Sequence, residues 1–233
     1  MSAAEVLRFP DLEAASLALA GRTADAVRRA VAGRGRCVLA LAGGSTPRRA
    51  YEILAAMPGL PWEAVHLFLG DERCLSAGDP RSNRALVETA LLVQAGPGRA
   101  AFHPLPEGAP EAAAAAYDAE LRTVLGGGPL DLAILGLGGD GHTASLFPGS
   151  PLLEERDRLV AATPRPAGNP PVFRASLTLP ALNAAREVLF LAAGAAKGEI
   201  VRRILDDPEA AALRYPAALV RPAGTLAWLL AGG

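Results

Sequence analysis

The sequence predicts an α/β fold in which an open, mostly parallel sheet carries helices on both faces. The chain has 233 residues, of which 51% are hydrophobic and 20% charged, so it can bury a full core. Several apolar runs lack polar alternation, which is typical of parallel strands buried on both faces. Helical patterns lie between these runs, as a strand–helix–strand repeat requires. At this length we expect one domain over residues 1–233.

The first predicted element is a long helix near the N-terminus. Between residues 12 and 31, apolar side chains recur at intervals of three, four or seven, the pattern of an amphipathic helix. Asp11 precedes the first of them and can cap the helix. The remaining helices are expected at residues 47–57, 82–93, 111–125 and 196–206.

The strands are predicted from the apolar runs. In chain order, they are expected at residues 37–42, 65–69, 130–137 and 188–193, with two shorter late strands at 217–220 and 226–230. Two proline-rich stretches, residues 104–110 and 164–171, predict surface loops or lids, because proline removes a backbone donor and restricts the residue before it.

Charge and composition exclude several classes of protein. The formal net charge is −1, from 23 basic and 24 acidic side chains, which provides no basic field for a nucleic-acid backbone. No apolar run approaches the ~18 residues of a membrane span, and residues 1–10 lack the pattern of a signal peptide. Cys37 and Cys74 lack metal-ligand spacing and indicate free thiols. We therefore expect a cytoplasmic protein that binds neither nucleic acid nor membranes.

The first motif follows the strand at residues 37–42. Gly43 and Gly44 allow a tight turn, Ser45 or Thr46 can cap the next helix, and Pro47 suits its first turn. Free amides and hydroxyls at a helix N-terminus can bind phosphate, and a capped turn without ligand is the alternative interpretation. The segment also approaches the G-x-S-x-G nucleophile elbow, but Pro47 replaces its last glycine, which disfavours a serine nucleophile.

The second motif combines acidic and basic side chains. The strand at 65–69 is followed by Asp71, Glu72 and Arg73, and Asn83 lies at the start of the helix at 82–93. Carboxylates in this position can orient hydroxyl groups, and an arginine can stabilise an anion. A surface cluster of ion pairs is the alternative interpretation of the same residues.

The third motif places a histidine in a glycine-rich turn after the strand at 130–137. His142 follows Asp140 by two residues, and a carboxylate so placed can fix the tautomer of the imidazole. Gly136, Gly138 and Gly141 also satisfy G-x-G-x-x-G, yet prolines soon interrupt the helix that a dinucleotide site requires. His66 and His103 look incidental.

Two cations complete the candidate site. Arg174 precedes the strand at 188–193, and Lys197, the single lysine of the chain, follows that strand. A chain that uses arginine at all other basic positions invites the hypothesis that a compact ammonium group is needed at position 197. Because ligands collect at the carboxyl ends of parallel strands, we expect both cations to meet a phosphate there.

Taken together, the segments LAGGSTP, GDER with DPRSN, LGLGGDGHTASLFPG and RASLTLPALNAAREVLFLAAGAAKGEIV resemble the 6-phosphogluconolactonases. Glucosamine-6-phosphate deaminases are the nearest relatives by fold and share the GGSTP and DGH motifs. In them an Asn-Glu-Pro segment follows the DGH turn, whereas Leu146, Phe147 and Pro148 do so here. They also tend to carry an aromatic residue where this chain has Arg73. Both departures favour a lactonase.

The resemblance implies a single-domain, modified Rossmann-like α/β fold and hydrolysis of 6-phospho-D-glucono-1,5-lactone, without metal, nucleotide or other cofactor. Ser45, Arg174 and Lys197 would hold the phosphate, with Gly43, Gly44 and Thr46 in the same turn. The expected mechanism has His142, oriented by Asp140, activating water, while Arg73 stabilises the oxyanion. Asp71 and Asn83 would bind sugar hydroxyls.

Two alternative functions are compatible with the same sequence. An isomerase or deaminase of an amino-sugar phosphate is one alternative activity, and a non-catalytic sugar-phosphate sensor is another. A sensor of the regulatory kind needs a DNA-binding module, for which the one helix before residue 37 leaves too little chain. We expect a monomer or a weak homodimer whose partner is the small phosphosugar lactone.

Overall fold

The computed structural model describes residues 4–76, 78–93 and 100–232. Its strands are β1 (Glu5–Phe9), β2 (Cys37–Leu41), β3 (Val65–Leu69), β4 (Asp71–Arg73), β5 (Ala101–Phe102), β6 (Leu132–Gly136), β7 (Val160–Ala162), β8 (Arg174–Leu177), β9 (Glu187–Ala193) and β10 (Thr225–Ala231). Its α-helices are α1 (Leu12–Arg34), α2 (Arg48–Ala56), α3 (Asn83–Val87), α4 (Pro110–Leu125), α5 (Leu179–Ala184), α6 (Ala195–Asp206) and α7 (Pro208–Ala212). A π-helical segment, Glu88–Leu92, continues α3.

Seven parallel strands form the large sheet in the order β1-β10-β9-β6-β2-β3-β5. Its apolar runs are buried on both faces because successive side chains point to opposite sides. In β2, Val38 and Ala40 contact the core that contains Trp228, whereas Cys37, Leu39 and Leu41 contact the core that lies against α1. The prediction of an open, mostly parallel α/β sheet is therefore confirmed.

Helix α1 follows the sequence prediction closely. The Asp11 side chain caps it by accepting a hydrogen bond from the Ala14 N–H at 2.8 Å. The helix ends at Gly35, whose φ of 74° lies in the left-handed region that favours glycine. Its buried face covers one side of the sheet.

Two predictions about strands were wrong or incomplete. Residues 217–220 were expected to form a strand, but Pro216–Leu219 is a 3₁₀-helix. Pro216 has no N–H for a strand ladder, and the Ala217 N–H bonds to the Gly141 carbonyl instead. The first strand, β1, was not predicted, since its mixture of polar and apolar residues fits a half-exposed sheet edge rather than a buried strand.

A second, small antiparallel sheet was also missed. It joins β4, β8 and β7 in that order, and its three strands are three or four residues long. Arg174 was placed before the fourth strand, and the structure puts it at the start of β8, opposite Arg73 of β4. The small sheet continues from β3 through Gly70, so it stands at the carboxyl edge of the large one.

Both proline-rich stretches are confirmed as loops. Residues 104–109 lead into α4, which begins at Pro110, and residues 164–171 form a largely exposed loop that a bridge between Ala167 and Val172 closes. Among the described residues, none of the helices combines the length and apolar character that a membrane span requires.

Candidate active site

A cleft of about 310 Å³ opens at the carboxyl ends of β2, β3, β6 and β9, where the sequence motifs were expected to meet. Its lining combines apolar residues of the sheet, such as Leu135 and Leu191, with many polar side chains. All but one of the predicted site residues line it, namely Gly43, Gly44, Ser45, Thr46, Asp71, Arg73, Asn83, His142, Arg174 and Lys197. The exception, Asp140, contacts His142 instead.

The turn after β2 keeps its polar groups available. Pro47 occupies the N-cap position of α2, and no side chain caps that helix, contrary to the expectation for Ser45 or Thr46. Gly44 has a φ of 82°, and a Cβ on Gly43 would lie 2.0 Å from Oδ1 of Asn83. Glycine is thus required at both positions, and the exposed Ser45 hydroxyl is free of a capping role.

His142 and Asp140 form the hydrogen-bonded pair that the sequence predicts. Nδ1 of His142 lies 2.5 Å from Oδ1 of Asp140, which also accepts the His142 backbone N–H at 3.1 Å. Burial alone would raise the pKa of Asp140, but the hydrogen bonds from His142 outweigh it and hold that pKa below its usual value. An ionised Asp140 fixes the proton on Nδ1, which leaves Nε2 as the basic nitrogen.

The turn around His142 has a strained and closely packed backbone. Gly141 has a φ of 78° and Ala144 a φ of 47°, which is rare for a residue with a Cβ. A Cβ on Gly138 would lie 2.1 Å from Nδ1 of His142, so the imidazole packs directly on the glycine backbone. The ring of Phe147 lies on the imidazole as well, with centroids 4.7 Å apart. These contacts restrict the orientation of the ring.

The described residues contain no serine–histidine pair of the kind a nucleophilic serine needs. The hydrogen bond of His142 is made through Nδ1 to Asp140, and Nε2 contacts no hydrogen-bonding partner in the part of the chain that is described. Ser45 and His142 nevertheless line the same cleft. No hydrogen bond joins these two side chains among the described residues.

Asp71 is buried and its carboxylate is surrounded by protein donors. Oδ2 accepts the Ser145 hydroxyl at 2.6 Å and lies 3.5 Å from Nη1 of Arg174, while Oδ1 accepts Nδ2 of Asn83 at 3.1 Å. Ser145 belongs to the turn that carries His142. Asp71 therefore connects that turn to the strand of Arg174 and to the start of α3.

Arg73 is held by the segment that precedes α3. Its Nη1 donates to the Asn83 side chain at 2.7 Å and to the Arg81 carbonyl at 2.6 Å, while its Nε is buried without a partner among the described residues. Glu72, which was not among the predicted site residues, ties the two segments together. Its buried carboxylate accepts the backbone N–H groups of Arg73, Asn83 and Arg84 at 2.7–2.8 Å.

The two predicted cations differ in their surroundings. Arg174 is buried, and its Nε donates to the carbonyl of Ala167 in the proline-rich loop at 3.0 Å. Burial lowers the pKa of its guanidinium, and the nearby Asp71 carboxylate opposes that change. Lys197 lies in the first turn of α6 and has no carboxylate within 4.0 Å among the described residues. Its positive charge is therefore available to a ligand.

Ser145 and Glu72 are the functional residues that sequence reasoning missed. Both stand inside motifs that were recognised, but their importance comes from contacts with residues 74 and 11 positions away, which no local pattern shows. Within the described ranges, no group of three or more His, Cys, Asp or Glu side chains is placed to hold a metal ion.

Comparisons with known proteins agree with this geometry. The family model described as glucosamine-6-phosphate isomerases/6-phosphogluconolactonase matches residues 10–228. A 6-phosphogluconolactonase of Synechocystis is 44% identical over 211 residues, which cover 88% of this chain and 85% of that protein.

Solved structures give the same result. A 6-phosphogluconolactonase from Shewanella baltica superposes with a TM-score of 0.86 at 29% identity, covering 98% of each chain. One from Thermotoga maritima superposes with a TM-score of 0.82 at 32% identity, covering 97% of this chain and 99% of that one. The resemblance inferred from the motifs is confirmed.

Proposed function

The chain belongs to the glucosamine-6-phosphate isomerase/6-phosphogluconolactonase family, and from this membership we infer that it is an enzyme that hydrolyses 6-phospho-D-glucono-1,5-lactone to 6-phosphogluconate. This is the lactone hydrolysis of the pentose phosphate pathway. Within the family, the departures from the deaminase pattern at Phe147 and Arg73 favour the lactonase. The observation that carries the mechanism is a histidine whose one nitrogen is held by a carboxylate and whose other nitrogen has no protein partner among the described residues.

We propose that neutral His142 acts as general base and then as general acid. Nε2 takes a proton from water as the water oxygen bonds to C1 of the lactone, and a tetrahedral oxyanion forms. When the oxyanion collapses, the bond between C1 and the ring oxygen breaks. The imidazolium returns its proton to that oxygen, which becomes the C5 hydroxyl of the open chain. The acid formed at C1 ionises in solution.

Arg73 would stabilise the oxyanion, since its guanidinium lines the cleft and its hydrogen bonds to protein are made through Nη1. Ser45, Arg174 and Lys197 would bind the phosphate, with the turn at Gly43, Gly44 and Thr46 offering backbone amides beside the N-terminus of α2. A phosphate dianion suits two cations in a protein whose net charge is close to zero.

Asp71 and Asn83 were expected to bind sugar hydroxyls. They line the cleft, but both are buried and their polar atoms already have protein partners. We propose that they contribute to binding mainly by holding Arg174 and Arg73 in place.

Three further expectations join this proposal. We propose that residues 1–233 form one domain, because the large sheet pairs β1 with β10. The cytoplasm is the proposed location, and a monomer or weak homodimer the proposed state in solution.

The test of the activity is proton release from freshly generated 6-phosphogluconolactone in a weakly buffered solution. We expect the purified protein to release one proton per lactone far faster than spontaneous hydrolysis does. A parallel incubation with glucosamine 6-phosphate measures ammonium. Ammonium release without acceleration of lactone hydrolysis would identify a deaminase, and binding without turnover of either compound would identify a sensor.

A further inference from the structure

A second cleft adjoins the candidate active site and is lined by three arginines. It has a volume of about 360 Å³ and shares Gly44, Ser45, Arg73 and Asn83 with the active-site cleft. We call it the arginine annex. Besides the four shared residues, its lining consists of Arg48, Pro80, Arg81, Ser82, Ala85, Leu86 and Thr89. No carboxylate is among the described side chains that line it.

The charges of the annex are unequally compensated. Arg81 is paired with Asp79 through two hydrogen bonds of 2.9 and 2.7 Å, and Arg73 is engaged by the Asn83 side chain. Arg48 has no carboxylate within 4.0 Å in the described part of the chain, and its guanidinium makes one polar contact there, with Oγ1 of Thr89 at 3.5 Å. The annex therefore presents the Arg48 guanidinium as an exposed cation without a carboxylate partner, beside the half-buried Arg73, whose guanidinium also donates to uncharged acceptors.

The position of Arg48 on its helix strengthens the local preference for an anion. Arg48 is the first residue of α2, where the helix dipole is positive, and the first turn contains no acidic residue. The neighbouring Arg49 has the same charge and exposure but binds the Glu13 carboxylate through both its Nε and Nη2, at 2.8–3.0 Å. Of these two arginines, Arg48 is therefore the one whose charge is available to a ligand.

The reaction itself creates an anion that the substrate lacks. The lactone and its product share the phosphate, but C1 is an uncharged ester in the lactone and a carboxylate in the product. Ring opening also turns a closed ring into a flexible chain, so C1 can move away from His142 while the phosphate stays bound. Because the annex opens directly beside Ser45 and Arg73, the carboxylate can reach it without leaving the site.

We propose that the arginine annex binds the newly formed C1 carboxylate of 6-phosphogluconate, with Arg48 as its principal contact. This inference rests on the proposed function of the neighbouring cleft. A charge-assisted contact made by the product alone gives the enzyme a preference for product over substrate, and product inhibition then depends on Arg48.

Calorimetric titration with two matched ligands tests the proposal. 6-Phosphogluconate carries the carboxylate, and glucitol 6-phosphate is an open chain of the same length with a hydroxyl in its place. We expect Arg48→Gln to weaken 6-phosphogluconate binding roughly five- to tenfold and to leave glucitol 6-phosphate binding within about twofold of the wild type. Arg49→Gln removes the same charge one residue away and should leave both affinities within about twofold of the wild type.

The kinetic consequence can be measured in the same proteins. Arg48→Gln should raise the inhibition constant of 6-phosphogluconate by the same five- to tenfold factor, roughly, while kcat/KM for the lactone stays within about twofold of the wild type. Equal weakening of both ligands would assign Arg48 to the phosphate and overturn the proposal. Unchanged 6-phosphogluconate affinity in Arg48→Gln would overturn it too.

Failure of the proposed function is separable from failure of this inference. If the wild type does not accelerate lactone hydrolysis, the activity is wrong whatever Arg48 does. If the wild type hydrolyses the lactone and the two ligands respond alike to Arg48→Gln, the activity stands and the annex is not a carboxylate site.

Discussion

Two histidine–carboxylate pairs among the described residues have nearly the same geometry, and only one of them lines the candidate active site. In both, Nδ1 meets a carboxylate oxygen: 2.5 Å from Asp140 in His142, and 2.6 Å from Glu120 in His103. The difference lies at Nε2. That of His103 is 3.0 Å from Nδ1 of His66, whereas that of His142 has no protein partner among the described residues.

The surroundings of the two histidines also differ, since one is packed against an aromatic ring and the other lines the cleft. His103 stacks on Phe68, with centroids 4.4 Å apart and ring planes 3° apart, at the edge of the sheet. His142 lines a cleft with Lys197 and Arg174. An orienting carboxylate alone therefore does not identify a catalytic histidine, and we propose His142 for that role because, within the described ranges, its second nitrogen is free and the residue lines the cleft.

Replacing His142 and His103 in turn with glutamine should give the largest difference in kcat between the two pairs. We expect His142→Gln to lower kcat for the phosphorylated lactone by about 10²- to 10⁴-fold, because general acid–base catalysis contributes on that order. His103→Gln is the matched control and should keep kcat within about twofold of the wild type. Stopped-flow proton release, corrected for spontaneous hydrolysis, measures both, and circular dichroism checks that both fold. A catalytic loss in His103→Gln equal to that in His142→Gln would remove the distinction.

The lysine that lines the same cleft as His142 gives the next largest effect. Lys197→Arg keeps the charge but changes the shape and reach of the side chain, so we expect KM for the phosphorylated lactone to rise roughly tenfold. Unphosphorylated gluconolactone should show no such change. Arg202→Lys, on the exposed side of the same helix, is the control for an exchange between arginine and lysine at constant charge outside the cleft. If both lactones responded equally to Lys197→Arg, the phosphate role of Lys197 would be untenable.

The smallest expected effect concerns stability and comes from His66, which contacts His103 of the second pair. Burial, the neighbouring His103 and Arg36 lower the pKa of His66. The unfolded chain therefore takes up this proton first as pH falls below about 6.5, and the free energy of unfolding decreases there. One such group contributes a slope of at most about 1.4 kcal/mol per pH unit.

Urea unfolding at pH 7.5, 6.5 and 5.5 measures this slope. His66→Gln should show a weaker pH dependence than the wild type over the same range. Identical slopes in the two proteins would show that His66 is not the group responsible.

Much of the fold could be predicted because its strands carry their signal locally. The runs in β2, β3, β6 and β9 are almost wholly apolar, as burial on both faces demands, with His66 in β3 and Glu187 at the start of β9 as the polar exceptions. The small sheet could not be predicted, since β4 reads Asp-Glu-Arg and its strand conformation depends on pairing with β8. The prediction of a strand at 217–220 was wrong because the apolar pattern there is local, whereas the conformation is set by Pro216 and by the hydrogen bond from the Ala217 N–H to the Gly141 carbonyl.

The site was predictable to the extent that its residues follow strand ends. Gly43 to Thr46, Asp71, His142 and Lys197 all stand just beyond a parallel strand, and the carboxyl ends of such strands meet at one edge. The protein partners of these residues were not predictable. Ser145 reaches Asp71 across 74 positions, and the occupied state of His103 Nε2 follows from its pairing with His66.

Chemical rescue of His142→Ala tests the central claim most directly. The truncation leaves space beside Gly138 and Asp140 that a small base can enter. We expect added imidazole to restore lactone hydrolysis in proportion to the concentration of its neutral form, beyond the rate that imidazole produces without enzyme. No recovery in a folded variant that still binds 6-phosphogluconate, or wild-type turnover without any added base, would contradict the assignment of His142 as the proton acceptor.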